Sequence, residues 1–219
     1  VYGLAGNAYS NKSVTKIFKL KKRPTFNPLI IHFKNLNDLK NDVILNANFK
    51  KLYSVFCPGP ITFILKKKKK SRISKIATTG KKTVAVRIPK HKVVRNLLSI
   101  IKFPLAAPSA NISSKLSPTS AEDVFEEFGN KIRFILDGGQ CKIGLESTIV
   151  DLTGKPSILR PGSITAEEIQ KILKKKIKVM KSFKRVKVPG QLKLHYSPGI
   201  PVEMNRKNVE KHQALIGFG

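Results

Sequence analysis

The chain has little cysteine and little acid. Its two cysteines, Cys57 and Cys141, stand in unrelated contexts without metal-ligand spacing, so neither a zinc site nor a disulfide framework is indicated, and a reducing compartment fits. Asp and Glu number 13 against 43 Lys and Arg. No carboxylate pair and no Ser-His-Asp arrangement points to hydrolysis, and Glu146 and Asp151 read as turn residues ahead of magnesium ligands. No apolar run reaches the roughly 20 residues that cross a bilayer, and no signal-peptide pattern is visible. A soluble, cytoplasmic protein with no membrane partner is expected. Internal repeats are also absent.

What is abundant is positive charge. A formal net charge of +30 creates a field that favours polyanions, RNA or nucleotides among them. Lys, Ile and Asn are frequent throughout, so biased codon usage accounts for the excess in preference to selection for nucleic acid. With 219 residues and 41% hydrophobic content, the chain holds one full domain and a remnant. Both ends read as cut. Val1 opens within a pattern, and Ala214 to Gly219 reads as a strand leading into a turn that does not follow.

Apolar spacing predicts a helix from Tyr9 to Lys21 with Ser13 as its cap, then a buried strand at Leu29 to Phe33. Helices are expected at Leu36 to Phe49 and Leu52 to Cys57, with a strand at Ile61 to Leu65 after the break Pro58-Gly59-Pro60. The run Lys66 to Lys70 reads as a solvated hairpin tip in preference to an RNA contact. Thr83 to Ile88 alternates with period two. This puts Thr83, Ala85 and Arg87 opposite Val84, Val86 and Ile88, with Thr83 and Arg87 on one surface a few ångströms apart. A helix follows at His91 to Ile101, a short strand at Pro104 to Ala107, a helix from Pro118-Thr119 to Phe128, and a strand at Phe134 to Asp137. Paired strands are expected at Ser147 to Leu152 and Ser157 to Arg160, then a capping box Thr165/Glu168 opening a helix into Lys171 to Lys178. From Met180 the chain is basic and proline-punctuated and reads as a linker. The expected class is α/β, a twisted mixed sheet with flanking helices.

The chemistry lies in scattered islands. Ala107-Pro-Ser-Ala-Asn111 is a turn of small residues, where backbone can approach a ligand and a hydroxyl and an amide offer directed hydrogen bonds. Lys21 and Arg23, before Pro24, offer fixed positive charge; a guanidinium forks onto phosphate oxygens and an ammonium adds a point charge. Together they describe a polyphosphate site. Arg87, on its strand face, is chemically suited to hold a carboxylate bidentately.

Tyr2-Gly-Leu-Ala-Gly-Asn7, Lys21-x-Arg23-Pro24 with Asn27-Pro28-Leu29 and His32, Pro58-Gly-Pro60-Ile-Thr62, Thr83-Val-Ala-Val-Arg87, Ala107-Pro-Ser-Ala-Asn111, Gly144-Leu-Glu-Ser-Thr148 and Leu159-Arg-Pro-Gly162 occur in the order and spacing of one family. Over residues 1 to 175 the chain resembles the YrdC/Sua5 family, the L-threonylcarbamoyladenylate synthases of tRNA modification. His195-Tyr196-Ser197-Pro198 further resembles the interdomain linker of the longer Sua5 type. The resemblance implies a YrdC-like domain over 1–179 lacking its N-terminal strand, a linker over 180–205, and the start of a C-terminal domain over 206–219. It also implies a twisted sheet with a large basic concave face.

The implied activity joins L-threonine, bicarbonate (or carbon dioxide) and ATP into threonylcarbamoyl-AMP and diphosphate, for N6-threonylcarbamoyladenosine at position 37 of tRNA. A transferase complex of the Kae1/TsaD type would act downstream. ATP would arrive with Mg2+ as substrate, with no tightly bound cofactor and no metal-ligating residues in the protein. By resemblance Lys21 and Arg23 are catalytic. Arg23, Asn27, Thr83, Ser109, Asn111, Ser117, Arg160 and Tyr196 contact ATP, and His32, Arg87, the Ala107 backbone and Ser147 hold threonine. Lys22 stands where the family has glycine between Lys and Arg, and the Pro-Thr-Glu-Thr segment that precedes Val-Tyr-Gly-Leu, with a threonine-holding Thr, is not in this sequence.

Two other readings compete. A carbamoyl-phosphate-using enzyme of the same fold would carry additional modules. A non-catalytic protein of the YrdC fold that binds double-stranded RNA, tRNA or the ribosome would use the basic face, although aromatic interleaving on a sheet is not evident.

Overall fold

The computed structural model describes residues 1–180, 197, 201–203, 205, 208–211 and 213–215. Short strand β1 (Gly6–Asn7) leads into helix α1 (Asn11–Leu20), which buries Val14, Ile17 and Phe18. Its cap is Ser10 instead of Ser13: the Ser10 hydroxyl accepts from the Ser13 N–H, which an N-cap does for the residue three positions on. After β2 (Ile30–His32), the long helix expected over 36–49 divides. Helix α2 (Leu36–Asp42) stops, the β-branched pair β3 (Val43–Ile44) joins the sheet, and α3 (Ala47–Phe56) restarts where Asn46 accepts from Phe49 N–H. Apolar spacing alone ran straight through this break, because it does not register a strand partner supplied by a distant segment.

The remaining elements are β4 (Ile61–Lys67), β5 (Thr83–Arg87), α4 (Lys92–Ile100), β6 (Leu105–Ala106), α5 (Ala121–Phe128), β7 (Thr148–Asp151), β8 (Ser157–Arg160), α6 (Ala166–Leu173) and β9 (Lys178–Val179). Capping boxes open α5 (Ser120/Asp123) and α6 (Thr165/Glu168). Two further expectations fail. Phe134 to Asp137 forms no strand; Phe134 is 79% exposed, and the segment is tied down by the Tyr2 hydroxyl, which accepts the Gly138 N–H at 2.9 Å. Helix α6 ends at Leu173, with Lys174 at φ +52°, so the lysines beyond it do not continue the helix.

Among the described residues the strands form one mixed sheet in the order β1-β6-β2-β5-β4-β7-β8-β9, with β3 pairing β4. β2/β5, β4/β7 and β8/β9 are parallel and the other pairs antiparallel. The lysine run continues β4 as far as Lys67, and Lys68 N–H then bonds Asp42 O at 2.9 Å.

Strand alternation gives the sheet two different faces. Ile31, Phe63, Leu65, Val84, Val86, Val150 and Ile158 pack in the main core with Val14, Ile17, Phe18, Phe49, Leu52, Ile169 and Leu173 of α1, α3 and α6. The other face carries a smaller cluster of Ile30, Ile64, Ala85, Ile149 and Leu159. Following the register, His32, Arg87, Thr62 and Arg160 fall on this second face, at one end of the strands.

Candidate active site

Strand ends position the first group of side chains. Arg87 closes β5 in parallel register with His32 on β2. Its Nε donates to Gly59 O at 3.1 Å, and its two terminal nitrogens have no partner among the described residues. Glycine is required at 59, where a Cβ would collide with the Phe56 carbonyl. His32 is buried, with Nδ1 unpartnered among the described residues. Burial, reinforced by the Arg87 charge, pushes its pKa down to about 3, so the ring is neutral at pH 7.

Ser147, immediately before β7, is buried, its Oγ 2.7 Å from Thr62 Oγ1. Arg160 at the end of β8 donates Nε and Nη2 to Ser147 O at 3.2 and 2.9 Å, and Nη2 also lies 3.2 Å from Ser147 Oγ. The turn after Arg160 presses on this segment: a Cβ at Gly162 would sit 2.5 Å from Thr148 N and 2.6 Å from Glu146 O. Half-buried Ala107 follows β6 and donates its N–H to Ile30 O at 3.0 Å.

Loops position the second group. The N–H of Arg23 returns to Phe18 O (2.9 Å) and that of Lys22 to Lys19 O (3.1 Å), the paired bonds of a Schellman ending. That ending needs a left-handed residue, and Lys22 takes it at φ +48°, so the backbone expected of the family's glycine is kept by a lysine. The ending turns Arg23 back so that Nε reaches Asn27 O and Nη2 reaches Pro28 O, both at 2.9 Å. Asn27 is buried, and its Oδ1 has no partner among the described residues.

Lys21 is fully buried and aims Nζ at Ser109 O (2.6 Å), Asn111 O and Asn111 Oδ1 (3.4 Å). Burial, then the nearby Arg23 charge, lowers its pKa to about 7. Asn111 donates Nδ2 to Ile112 O and Lys115 O at 2.8 and 2.9 Å. Lys21 and Asn111 thus frame the 109–115 loop itself. Ser117 Oγ donates to Glu146 Oε1, which links two distant segments, and Asp151 Oδ1 accepts the Thr153 N–H at 2.9 Å within its own turn.

Arg23 and Arg87 are each lowered to about 10, first by burial and second by Arg160, which places Arg160 near both. Three guanidiniums therefore gather where strand ends and loops meet, and like charges so crowded favour an anion. Thr83 is less close than its alternation implied. It shares the face of Arg87 but lies at the other end of β5, about 13 Å away at the usual strand rise; there it borders a small cavity with Pro28 and Lys81. Tyr196 and His195 lie outside the described residues. Sequence reasoning gave Thr62 no role, although its place in the β4 alternation puts it on the site face. It also gave none to Ser113, whose buried Oγ has no partner among the described residues.

A twisted mixed sheet with arginines, a neutral histidine and small-residue loops at its strand ends defines an α/β domain with positive charge gathered at those ends. The chain belongs to the Sua5/YciO/YrdC family, whose model, described as "Telomere recombination", matches residues 1–162. A second model, "Threonylcarbamoyl-AMP synthase, C-terminal domain", matches residues 164–216. The threonylcarbamoyl-AMP synthase of Pyrococcus abyssi is 43% identical over 211 residues, covering 92% of this chain and 61% of that protein. The Bacillus subtilis enzyme of the same name is 39% identical, covering 99% and 64%.

The crystal structure of P. abyssi Sua5 complexed with L-threonine superposes with a TM-score of 0.86 at 42% identity, covering 90% of this chain and 59% of that one. Escherichia coli YciO shares the fold, with a TM-score of 0.68 at 20% identity over 77% of this chain and 82% of that one. The chain spans about three fifths of the length of the curated relatives it matches.

Proposed function

We propose that this chain carries the catalytic domain of a threonylcarbamoyl-AMP synthase, which makes threonylcarbamoyl-AMP and diphosphate from L-threonine, bicarbonate or carbon dioxide, and ATP. The observation that carries this reading is the fork of Arg87, open among the described residues, beside the nitrogen of neutral His32 that is unpartnered among them. The fork matches a carboxylate, and an uncharged imidazole offers a hydrogen bond without repelling an ammonium or amine. The high similarity to enzymes of that name, and to a relative bound to L-threonine, supports the same reading.

In this mechanism Arg87 holds the threonine carboxylate, with Ser147 and the Ala107 backbone completing its side of the site. The threonine amine adds to carbon dioxide, forming the N–C bond and releasing a proton. A carbamate oxygen then attacks the α-phosphorus of ATP, and the bond to the bridging oxygen breaks as diphosphate leaves with the electron pair. Arg23 and Arg160 counter the phosphate charge, and Asn27 Oδ1 accepts from the nucleotide. Lys21 and Asn111 keep the Ser109 loop in shape, while Thr83, Ser117 and Tyr196 are the remaining nucleotide contacts. Mg2+ would arrive on ATP as part of the substrate and help neutralise its phosphates, with no tightly bound cofactor. Catalysis is positioning plus electrostatics.

The product serves a transferase of the Kae1/TsaD type acting on adenosine 37 of tRNA, in the cytoplasm. Among the described residues no helix is long and apolar enough to cross a membrane. The test is diphosphate release by the full-length natural protein with ATP and Mg2+, omitting threonine and bicarbonate in turn. Release that needs both is expected. RNA binding that falls with salt, without any threonine-dependent release, would replace this reading with a non-catalytic RNA- or ribosome-binding one. Arg23→Ala is expected to abolish release with the fold intact.

A further inference from the structure

The loop that carries Ser109 is held by Lys21, by helix α5 and by Ser197, whose N–H donates to Ser114 O at 2.9 Å, and the α5 contact belongs to no motif that the function absorbs. From the sheet side, Lys21 Nζ reaches Ser109 O and the Asn111 oxygens, and Ser113 N–H donates back to Lys21 O at 2.9 Å. From the helix side comes Glu127, near the end of α5, its side chain 18% exposed. Its Oε1 accepts the Ile112 N–H at 2.9 Å and its Oε2 the Lys115 ammonium at 3.1 Å.

Those two anchors straddle a turn. Lys115 N–H closes onto Ile112 O at 3.2 Å, and Ser114, third of the four residues, has φ +80°. A type II turn gives that position to glycine, so a serine there is strained and the turn persists only if its surroundings hold it. Within the same turn Ser113 keeps a buried hydroxyl without a partner among the described residues, next to the residues that frame the phosphate side.

We propose that Glu127 is a positioning residue for nucleotide binding: by bracing the Ile112–Lys115 turn it holds the loop in the shape that presents the hydroxyls of Ser109 and Ser113 to ATP. This rests on the proposed function. Glu127 touches no substrate. Its effect passes through the Ile112 N–H first and the Lys115 charge second, because the former fixes backbone and the latter an exposed side chain. Its negative charge also favours the charged form of Lys21.

The experiment measures equilibrium binding of a non-hydrolysable ATP analogue with Mg2+, and separately of L-threonine without nucleotide, to the full-length natural protein and to Glu127→Ala, Glu127→Gln and the double variant Glu127→Ala/Ser114→Gly. Glu127→Ala is expected to weaken nucleotide binding by ~10-fold or more. Glu127→Gln keeps a carbonyl for the Ile112 N–H and stays within ~3-fold of the parent. Glycine at 114 removes the strain, so the double variant recovers most of the loss. Threonine affinity is unchanged in all three, since its site stands on the strand ends.

Nucleotide affinity in Glu127→Ala equal to the parent's, a parallel fall in threonine affinity, or no recovery in the double variant would overturn the proposal. If Glu127→Ala does not fold, the double variant is expected to fold and bind, and failure of both to fold overturns it as well. Failure of the parent protein to bind the analogue or threonine would count against the proposed function instead.

Discussion

The proposed amino-acid side of the site stands on strand ends, whereas the proposed phosphate side hangs on two loops, and the two offer donors to an anion in different ways. On the strands, ladder bonds satisfy the backbone, and two nitrogens of Arg87 and one of His32 have no partner among the described residues. On the loops, side chains do the work that the ladder does elsewhere. Lys21 and Asn111 are taken up by carbonyls of the 109–115 loop, and two non-glycine residues, Lys22 and Ser114, sit in the left-handed region. A rigid scaffold leaves its functional groups open, and an irregular one must use some of them to hold its shape.

From that contrast the largest single effect is expected on the strand side. Arg87→Ala is expected to weaken threonine binding on the order of 100-fold, about 2.7 kcal/mol, since hydrogen bonds to charged groups contribute about 1.5–3 kcal/mol. Arg87→Lys should not restore it, because an ammonium cannot reproduce the fork. Titration with threonine in the absence of nucleotide reads both. Unchanged affinity in Arg87→Ala would end the assignment of that side to a carboxylate.

The next effect concerns pH. The folded pKa of His32 is depressed to about 3 from 6.5, so between those values the unfolded chain takes up a proton that the folded chain refuses. Stability linked to His32 is therefore complete above pH 6.5 and declines as pH falls toward 3, by up to ~1.4 kcal/mol per pH unit. Urea unfolding of the parent and of His32→Gln at pH 7, 5.5 and 4.5 tests this. The two should converge in stability as pH drops, and parallel curves would show that the ring titrates alike in the folded and the unfolded chain.

The smallest effect belongs to the loop side. Lys22→Gly removes the left-handed strain at the end of α1 but loosens the unfolded chain, leaving a net gain of at most ~1 kcal/mol. A loss of stability in Lys22→Gly would mean that the lysine side chain itself holds the turn.

Much of this architecture could be read from the chain where the signal was local. Alternation over Thr83 to Arg87 predicted which side chains face the core, and Val84 and Val86 do lie in it while Arg87 does not. The Thr165/Glu168 box and the turn between β7 and β8 were equally plain, because each lies within a few consecutive residues. The helix expected over 36–49 failed at Val43 and Ile44, whose partners Lys67 and Lys66 lie far along the chain. Phe134 to Asp137 had strand composition but found no neighbour to pair with, and composition does not supply one. Within the site, the motifs named the arginines and His32. The brace by Glu127 carries no motif at all, since a glutamate on a helix looks like any solvated face until the loop is set against it.

The sequence by itself determined the inventory of the site and its order along the chain: Lys21 and Arg23 after a helix, Arg87 on the polar side of an alternating strand, and small residues from Ala107 to Asn111. Short-range sterics and side-chain periodicity suffice for that much. Only the tertiary structure decided that His32 meets Arg87, that Arg160 stands near both other arginines, that Thr62 joins Ser147, and that Thr83 lies a strand's length from Arg87. These meetings depend on strand order and register between distant segments, and on a burial that strips water from charges and fixes what each can bind.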